Sequence, residues 1–131
     1  MSNWSGGFDR RGSPTLKIGV SVSLSRLTEC EAIIDTGFTG FLLLPLSKLN
    51  SFDSVMEEFQ LLTLADGTKL IRLRTPATIV VEGENISGIA VIEPDGNDAI
   101  IGMKFLRFAR RSLHVSTVRN EVLLIEDVPA F

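Results

Sequence analysis

Ala32-Ile33-Ile34-Asp35-Thr36-Gly37-Phe38-Thr39-Gly40 decides how this chain is read. An apolar run ends in an acid, a hydroxyl residue and a glycine. Ile33 and Ile34 predict a strand buried on both faces, because a strand covered on both sides needs no polar alternation. Asp35 stands where that strand must stop. Gly37 permits backbone angles that a side chain forbids, and it leaves room for another backbone to approach. Thr36 brings a hydroxyl that both donates and accepts. The stretch therefore predicts a carboxylate on a tight turn at a rigid strand end, close to the core, where it needs partners to offset its desolvation.

Upstream, Leu16, Ile18, Val20, Val22 and Leu24 alternate with polar or small residues, the period of a half-buried strand. Ser25 to Glu29 predict a turn. The chain then returns through Cys30 and Ala32, so the second strand of a hairpin delivers Asp35. Cys30 reads as a small strand residue, with no histidine near it in sequence to activate it. Downstream, Phe41 to Pro45 predict a short buried strand closed by the proline, and Leu46 to Asn50 a helical turn. Phe52 to Gln60 read either as a helix, from the spacing of Val55, Met56 and Phe59, or as the lead-in to a strand starting near Phe59.

Leu61 to Leu73 predict a hairpin turning at Asp66-Gly67, a strong two-residue turn signal between β-prone runs. Thr78 to Glu82 and Ile86 to Ile92 predict a second hairpin around Gly83-Glu84-Asn85, followed by a polar loop from Pro94 to Asn97. Ala99-Ile100-Ile101-Gly102 is another apolar run ending in glycine. Met103 to Arg111 has helical composition, with Phe105, Leu106 and Ala109 toward the core and Lys104, Arg107, Arg110 and Arg111 toward water. Leu113 to Ser116 and Val122 to Ile125 are closing strands. Many short strands and one short helix predict an all-β barrel.

The 131 residues suit one domain. Residues 1–14 are polar and contain Gly6, Gly7, Gly12 and Pro14, so they read as a flexible arm preceding a folded domain over 15–131. Trp4 and Phe8 are the residues able to pin that arm to a surface. A hydrophobic content of 44% supports a core, and a net charge of -3 gives no electrostatic reason to expect nucleic acid or an anionic membrane as partner. The single cysteine excludes an intrachain disulfide and a zinc-finger pattern. His114 alternates with Leu113 and Val115 as a surface strand residue and has no companion ligands for a metal. No apolar stretch is long enough to span a bilayer, and the first residues lack a basic region followed by an apolar one. A cytoplasmic location is the expectation.

Ile33-Ile34-Asp35-Thr36-Gly37 resembles the catalytic loop of the aspartic proteases. The longer Asp-Thr-Gly-Phe-Thr-Gly resembles that of a single-domain, retropepsin-like branch found in prokaryotes. The resemblance runs from about Leu16 onward and rests on three features in order: the loop at Asp35, the Asp66-Gly67 hairpin in the place of a flap, and Ile100-Ile101-Gly102 followed by a helix. It implies a closed acid-protease barrel with one short C-terminal helix. Two departures stand out. Retroviral members carry an acid two residues after the glycine of the loop and an arginine just after the later glycine, which form an ion pair. Here those places hold Thr39 and Met103, so both charges are absent together and neither is left buried alone. Phe38 also replaces a small residue, at the edge of the implied cleft.

The chemistry implied is peptide hydrolysis by two carboxylates around one water, one ionised as general base and one protonated to polarise the scissile carbonyl. It uses neither metal nor cofactor. The chain has one Asp-Thr-Gly, so the site requires a homodimer in which each copy gives Asp35 across a two-fold axis. The resemblance implies that Asp35, Thr36 and Gly37 form the catalytic loop, with Thr36 bracing it across the axis. It also implies that Phe38 and the tip Ala65-Asp66-Gly67 contact a peptide or protein substrate. Val122 to Ile125 are a candidate dimer contact. Two other readings stand beside this one: a retropepsin-fold module that binds peptide or dimerises with little or no turnover, and an unrelated small β-barrel binding module.

Overall fold

The computed structural model describes residues 3–22, 26–48, 59–63 and 69–128. Among these the strands are β1 (Trp4–Ser5), β2 (Gly7–Phe8), β3 (Pro14–Val22), β4 (Thr28–Ile34), β5 (Leu42–Pro45), β6 (Phe59–Thr63), β7 (Lys69–Val81), β8 (Glu84–Glu93), β9 (Ala99–Ile101), β10 (Arg111–Ser116) and β11 (Glu121–Glu126). A 3-10 turn at Leu46–Lys48 and one α-helix, α1 (Met103–Ala109), complete the described elements. The tip Ala65-Asp66-Gly67 and most of Phe52 to Gln60 lie outside the described residues.

Strands β3, β4, β9, β5, β8 and β7 pair in that order, and β7 returns to pair with β3, so the six close into a barrel. Closure leaves these strands without an open edge. Among the described residues the fold is the all-β closed barrel with one short helix that the strand pattern predicts. Leu16, Ile18, Val20 and Val22 of β3 point inward and are at most 3% exposed. The helix lies outside the barrel, with Phe105 fully buried between the Trp4 ring, at 6.1 Å, and the Phe41 ring, at 6.0 Å.

Two expected hairpins share one strand. The runs ending near Leu73 and beginning at Thr78 are both part of the 13-residue β7, which pairs first with β6 and then with β8. Val81 pairs with Glu84, so the turn is the two residues Glu82 and Gly83, with φ of 47° and 83°. Positive φ at both positions matches the twist of the flanking strands. The turn therefore sits one residue earlier than expected, and Glu84 and Asn85 open β8.

The flexible arm expected over residues 1–14 is corrected by its own aromatic residue. Trp4 is 1% exposed, and β1 pairs with β11 in a second sheet of order β1-β11-β10. β2 joins the barrel beside β3. A large apolar ring gains more from burial than the short polar segment loses in freedom. Arg111 is the second correction. The helix ends at Ala109, Arg110 takes a left-handed conformation with φ of 53°, and Arg111 turns inward as the first residue of β10, 6% exposed. Its guanidinium lies 4.1 Å from the Trp4 ring centre and donates to Glu84 Oε2 at 3.0 Å and to the Ala109 carbonyl at 2.9 Å. The Trp4 indole N–H donates to the same Glu84 oxygen at 3.1 Å. The cation is thus stacked on one ring and bonded rather than solvated.

Candidate active site

Asp35 stands at the C-terminal end of β4, which runs beside β9 in parallel, Ile33 opposite Ile100 and Ile34 opposite Ile101. The Asp35 N–H donates to the Ile101 carbonyl at 3.0 Å, carrying that ladder one residue past the strand. Ile34 and Ile101 are buried, so the peptide that bears the acid is anchored in the core while its side chain is exposed. The two apolar runs recognised separately in the sequence, Ile33-Ile34 and Ile100-Ile101, are neighbours.

The loop then turns on itself. The Phe38 N–H donates to the Asp35 carbonyl at 3.1 Å, and the Gly37 N–H donates to Asp35 Oδ1 at 2.8 Å. The second bond fixes the carboxylate by an Asx-type turn and gives it a partner in an exposed setting. Gly37 does not adopt a positive φ. Its requirement is space, since a Cβ there would lie 3.1 Å from Asp35 Oδ1. Among the described residues no other backbone approaches Gly37, and it adopts no special backbone angles, so neither expectation is met in that form.

The far side of the loop is held by the start of α1. Met103 N–H donates to the Phe38 carbonyl at 2.8 Å, and Lys104 N–H to the Gly40 carbonyl at 3.1 Å. The helix thereby satisfies two of its own unpaired N-terminal donors with loop carbonyls. Gly102 makes this possible, because a Cβ there would lie 2.3 Å from Phe38 O and 2.6 Å from Gly40 O. Phe38 is half-buried, and its ring folds back so that a Cβ on Gly40 would meet ring carbons at 2.5 Å. The loop-to-helix junction is made of glycines, carbonyls and one aromatic ring, with Thr39 and Met103 carrying no charge. Gly40 enters the sequence reading only as the last residue of the Asp-Thr-Gly-Phe-Thr-Gly stretch, with no role of its own; its packing under the Phe38 ring is visible only in the structure.

Asp35, Thr36 and Gly37 come together as one exposed loop. Phe38 belongs to it, whereas Ala65, Asp66 and Gly67 are outside the described residues. Asp98, in the loop before β9, accepts from the Arg11 guanidinium at 2.9 Å. Burial pushes the Cys30 thiol above its ordinary value, partly offset by Lys48, so it lacks the depressed pKa of a nucleophile. Among the described residues no three His, Cys, Asp or Glu side chains come together to hold a metal ion, and no helix is long and apolar enough to cross a membrane.

No family model matches the chain, and no curated protein sequence matches it. Solved structures do. A retropepsin-like aspartic protease from Rickettsia conorii superposes with a TM-score of 0.56 at 15% identity, covering 94% of this chain and 90% of that one. EIAV protease in complex with the inhibitor HBY-793 matches with a TM-score of 0.49 at 17% identity, over 76% of this chain and 90% of that one. With the barrel, the strand-end acid and the glycine-packed helix in place, the fold of this chain is that of a retropepsin-like aspartic protease.

Proposed function

We propose that the chain is an aspartic-type endopeptidase of the Asp-Thr-Gly-Phe form, active as a homodimer, in which two Asp35 carboxylates share one water. The observation that carries this reading is the posture of Asp35: its peptide is tied to Ile101 in the core, its Oδ1 is held by Gly37, and its side chain faces solvent. A carboxylate fixed in this way needs little reorganisation to act on a bound water. One such group cannot serve as base and acid at once, and a second copy across a two-fold axis supplies the other. Two carboxylates in contact share a proton and titrate as a unit, so the ionised one takes the proton of the water while the protonated one polarises the peptide carbonyl. The oxygen of the water then bonds to the carbonyl carbon, and the amine leaves with a proton from the dyad.

On this reading Thr36 braces the paired loops, while Phe38 and the tip Ala65-Asp66-Gly67 contact the peptide. The decisive experiment is a peptide-cleavage assay at mildly acid pH, with and without a statine-type inhibitor, on the wild-type chain and Asp35→Asn. Cleavage that the inhibitor blocks and the substitution abolishes, with the dimer intact, is the expected result. Full activity in Asp35→Asn refutes the site. A dimer that cleaves nothing assigns the chain instead to the inactive peptide-binding or dimerisation module.

A further inference from the structure

The outward face of β4 leads from Ile33 to Asp35. Ile34 between them is buried, so by the alternation of a strand the half-buried Ile33 and the exposed Asp35 share the other face, roughly 7 Å apart along the chain. Beside Ile33 that face opens into a pocket of about 300 Å3. Its walls come from separate places in the chain: Arg10 and Arg11 in the turn between β2 and β3, Glu31 one pleat back on β4, Lys48 at the end of the 3-10 turn, and Asp98 before β9.

Arg11 ties two of these walls together. Its guanidinium donates to Asp9 Oδ2 at 3.4 Å and to Asp98 Oδ2 at 2.9 Å, linking the β2–β3 turn to the loop before β9. Among the described residues the side chains of Arg10, Glu31 and Lys48 make no hydrogen bond or ion pair. The pocket therefore presents unused donors and unused acceptors together. Its three cations and three carboxylates also balance, so neither sign of charge is favoured overall. An apolar side chain entering here strips water from charged groups and gives nothing back. A charged one meets a like charge as well as an opposite one. A carboxamide suits the lining best, because its oxygen accepts from Arg10 or Lys48 while its NH2 donates to Glu31 or Asp98.

We propose that this pocket selects the substrate: a peptide with glutamine or asparagine next to the bond that is cut, with Arg10 and Glu31 as specificity-determining residues. The proposal rests on the paired-Asp35 reading and names its substrate class. An extended peptide repeats its side chains on one side every two residues, the same spacing that separates Asp35 from Ile33. With the reacting carbonyl at Asp35, a neighbouring side chain reaches the pocket. Phe38 and the tip Ala65-Asp66-Gly67 are assigned to other contacts with the peptide, so the selection falls to the charged walls beside Ile33.

The test is titration calorimetry of the full chain with four statine-type peptides that differ only in the side chain adjoining the hydroxyl-bearing carbon: that of glutamine, leucine, glutamate or lysine. Binding needs no turnover, so this readout is independent of cleavage. The glutamine peptide is expected to bind about tenfold more tightly than each of the other three. Arg10→Leu and Glu31→Leu each remove one side of the polar lining and are expected to cut that preference to about threefold or less. Both residues are exposed and make no side-chain bond among the described residues, so the variants alter the pocket and spare the fold. A leucine, glutamate or lysine peptide that binds as tightly as the glutamine one overturns the proposal, as does a preference unchanged in both variants. A wild type that binds none of the four overturns it as well. Glutamine-selective binding with no cleavage of any peptide upholds the pocket and overturns the peptidase; Asp35-dependent cleavage without that selectivity does the reverse.

Discussion

Gly102 packs so tightly beneath Phe38 that a Cβ on it would lie 2.3 Å from the Phe38 carbonyl oxygen. That oxygen is also the acceptor for Met103 N–H, at 2.8 Å, so it cannot retreat without releasing the helix start. Gly102→Ala is expected to destabilise the protein by about 3 kcal/mol, since backbone rather than a flexible side chain must move. Urea unfolding measures the loss. Gly37→Ala meets only Asp35 Oδ1, at 3.1 Å, and is expected to cost less than ~1 kcal/mol. Equal losses in the two variants would contradict the packing described for the junction.

Trp4 is the only tryptophan, and it is buried against Phe105 and Arg111. Trp4→Ala removes a large ring from a site that also supports α1, so a loss of about 3–5 kcal/mol is expected, with Trp4→Phe losing less. The wild-type tryptophan emission should be blue-shifted and move to the red on unfolding. A Trp4→Ala variant as stable as the wild type would restore the free arm that composition suggests.

Glu84 is half exposed, yet it accepts from both the Trp4 indole and the buried Arg111. An ordinary surface ion pair contributes little. This one differs because its cation is 4% exposed and loses the Glu84 carboxylate when the acid is removed. Glu84→Ala is expected to cost about 1–3 kcal/mol, discounted for the half-exposed acid. Thermal melts of Glu84→Ala against the neighbouring exposed Glu82→Ala separate this role from a general change in net charge.

Apolar runs and glycines made much of the site readable. Ile33-Ile34 before Asp35 and Ile100-Ile101 before Gly102 each announce a strand end, although only Ile34 and Ile101 are buried while Ile33 and Ile100 are half-buried, and the short helix follows with Phe105, Leu106 and Ala109 inward as their spacing predicts. What joins those runs is a parallel pairing between residues some seventy positions apart, which no local pattern encodes. The reading of the N-terminus failed for a related reason. Glycine and polar neighbours describe a segment by its average, whereas Trp4 alone decides its fate through contacts with Phe105, Arg111 and Glu84 from distant elements. Arg111 was placed on a wet helix face because helical periodicity was extended past Ala109. The left-handed Arg110 breaks that periodicity by reversing the chain.

The turn after β2 provides a titratable clasp. Asp9 Oδ1 accepts from the Ser13 and Arg11 backbone N–H groups, each at 2.9 Å, and Arg11 reaches on to Asp98 at 2.9 Å. The Ser13 N–H, ahead of the opposing effect of desolvation and with help from the Arg11 N–H and charge, holds the Asp9 carboxyl below its ordinary value of 3.8. A folded value below the unfolded one means the unfolded chain binds the proton more readily. The stabilisation from Asp9 is therefore fully present above the unfolded carboxylate range and disappears as pH falls through the folded value. Asp9→Asn is expected to be less stable than the wild type at neutral pH, with the gap closing on acidification below 3.8. Carboxyl-carbon NMR of Asp9 gives the midpoint directly, and a value at or above 3.8 would mean that the clasp is open in solution.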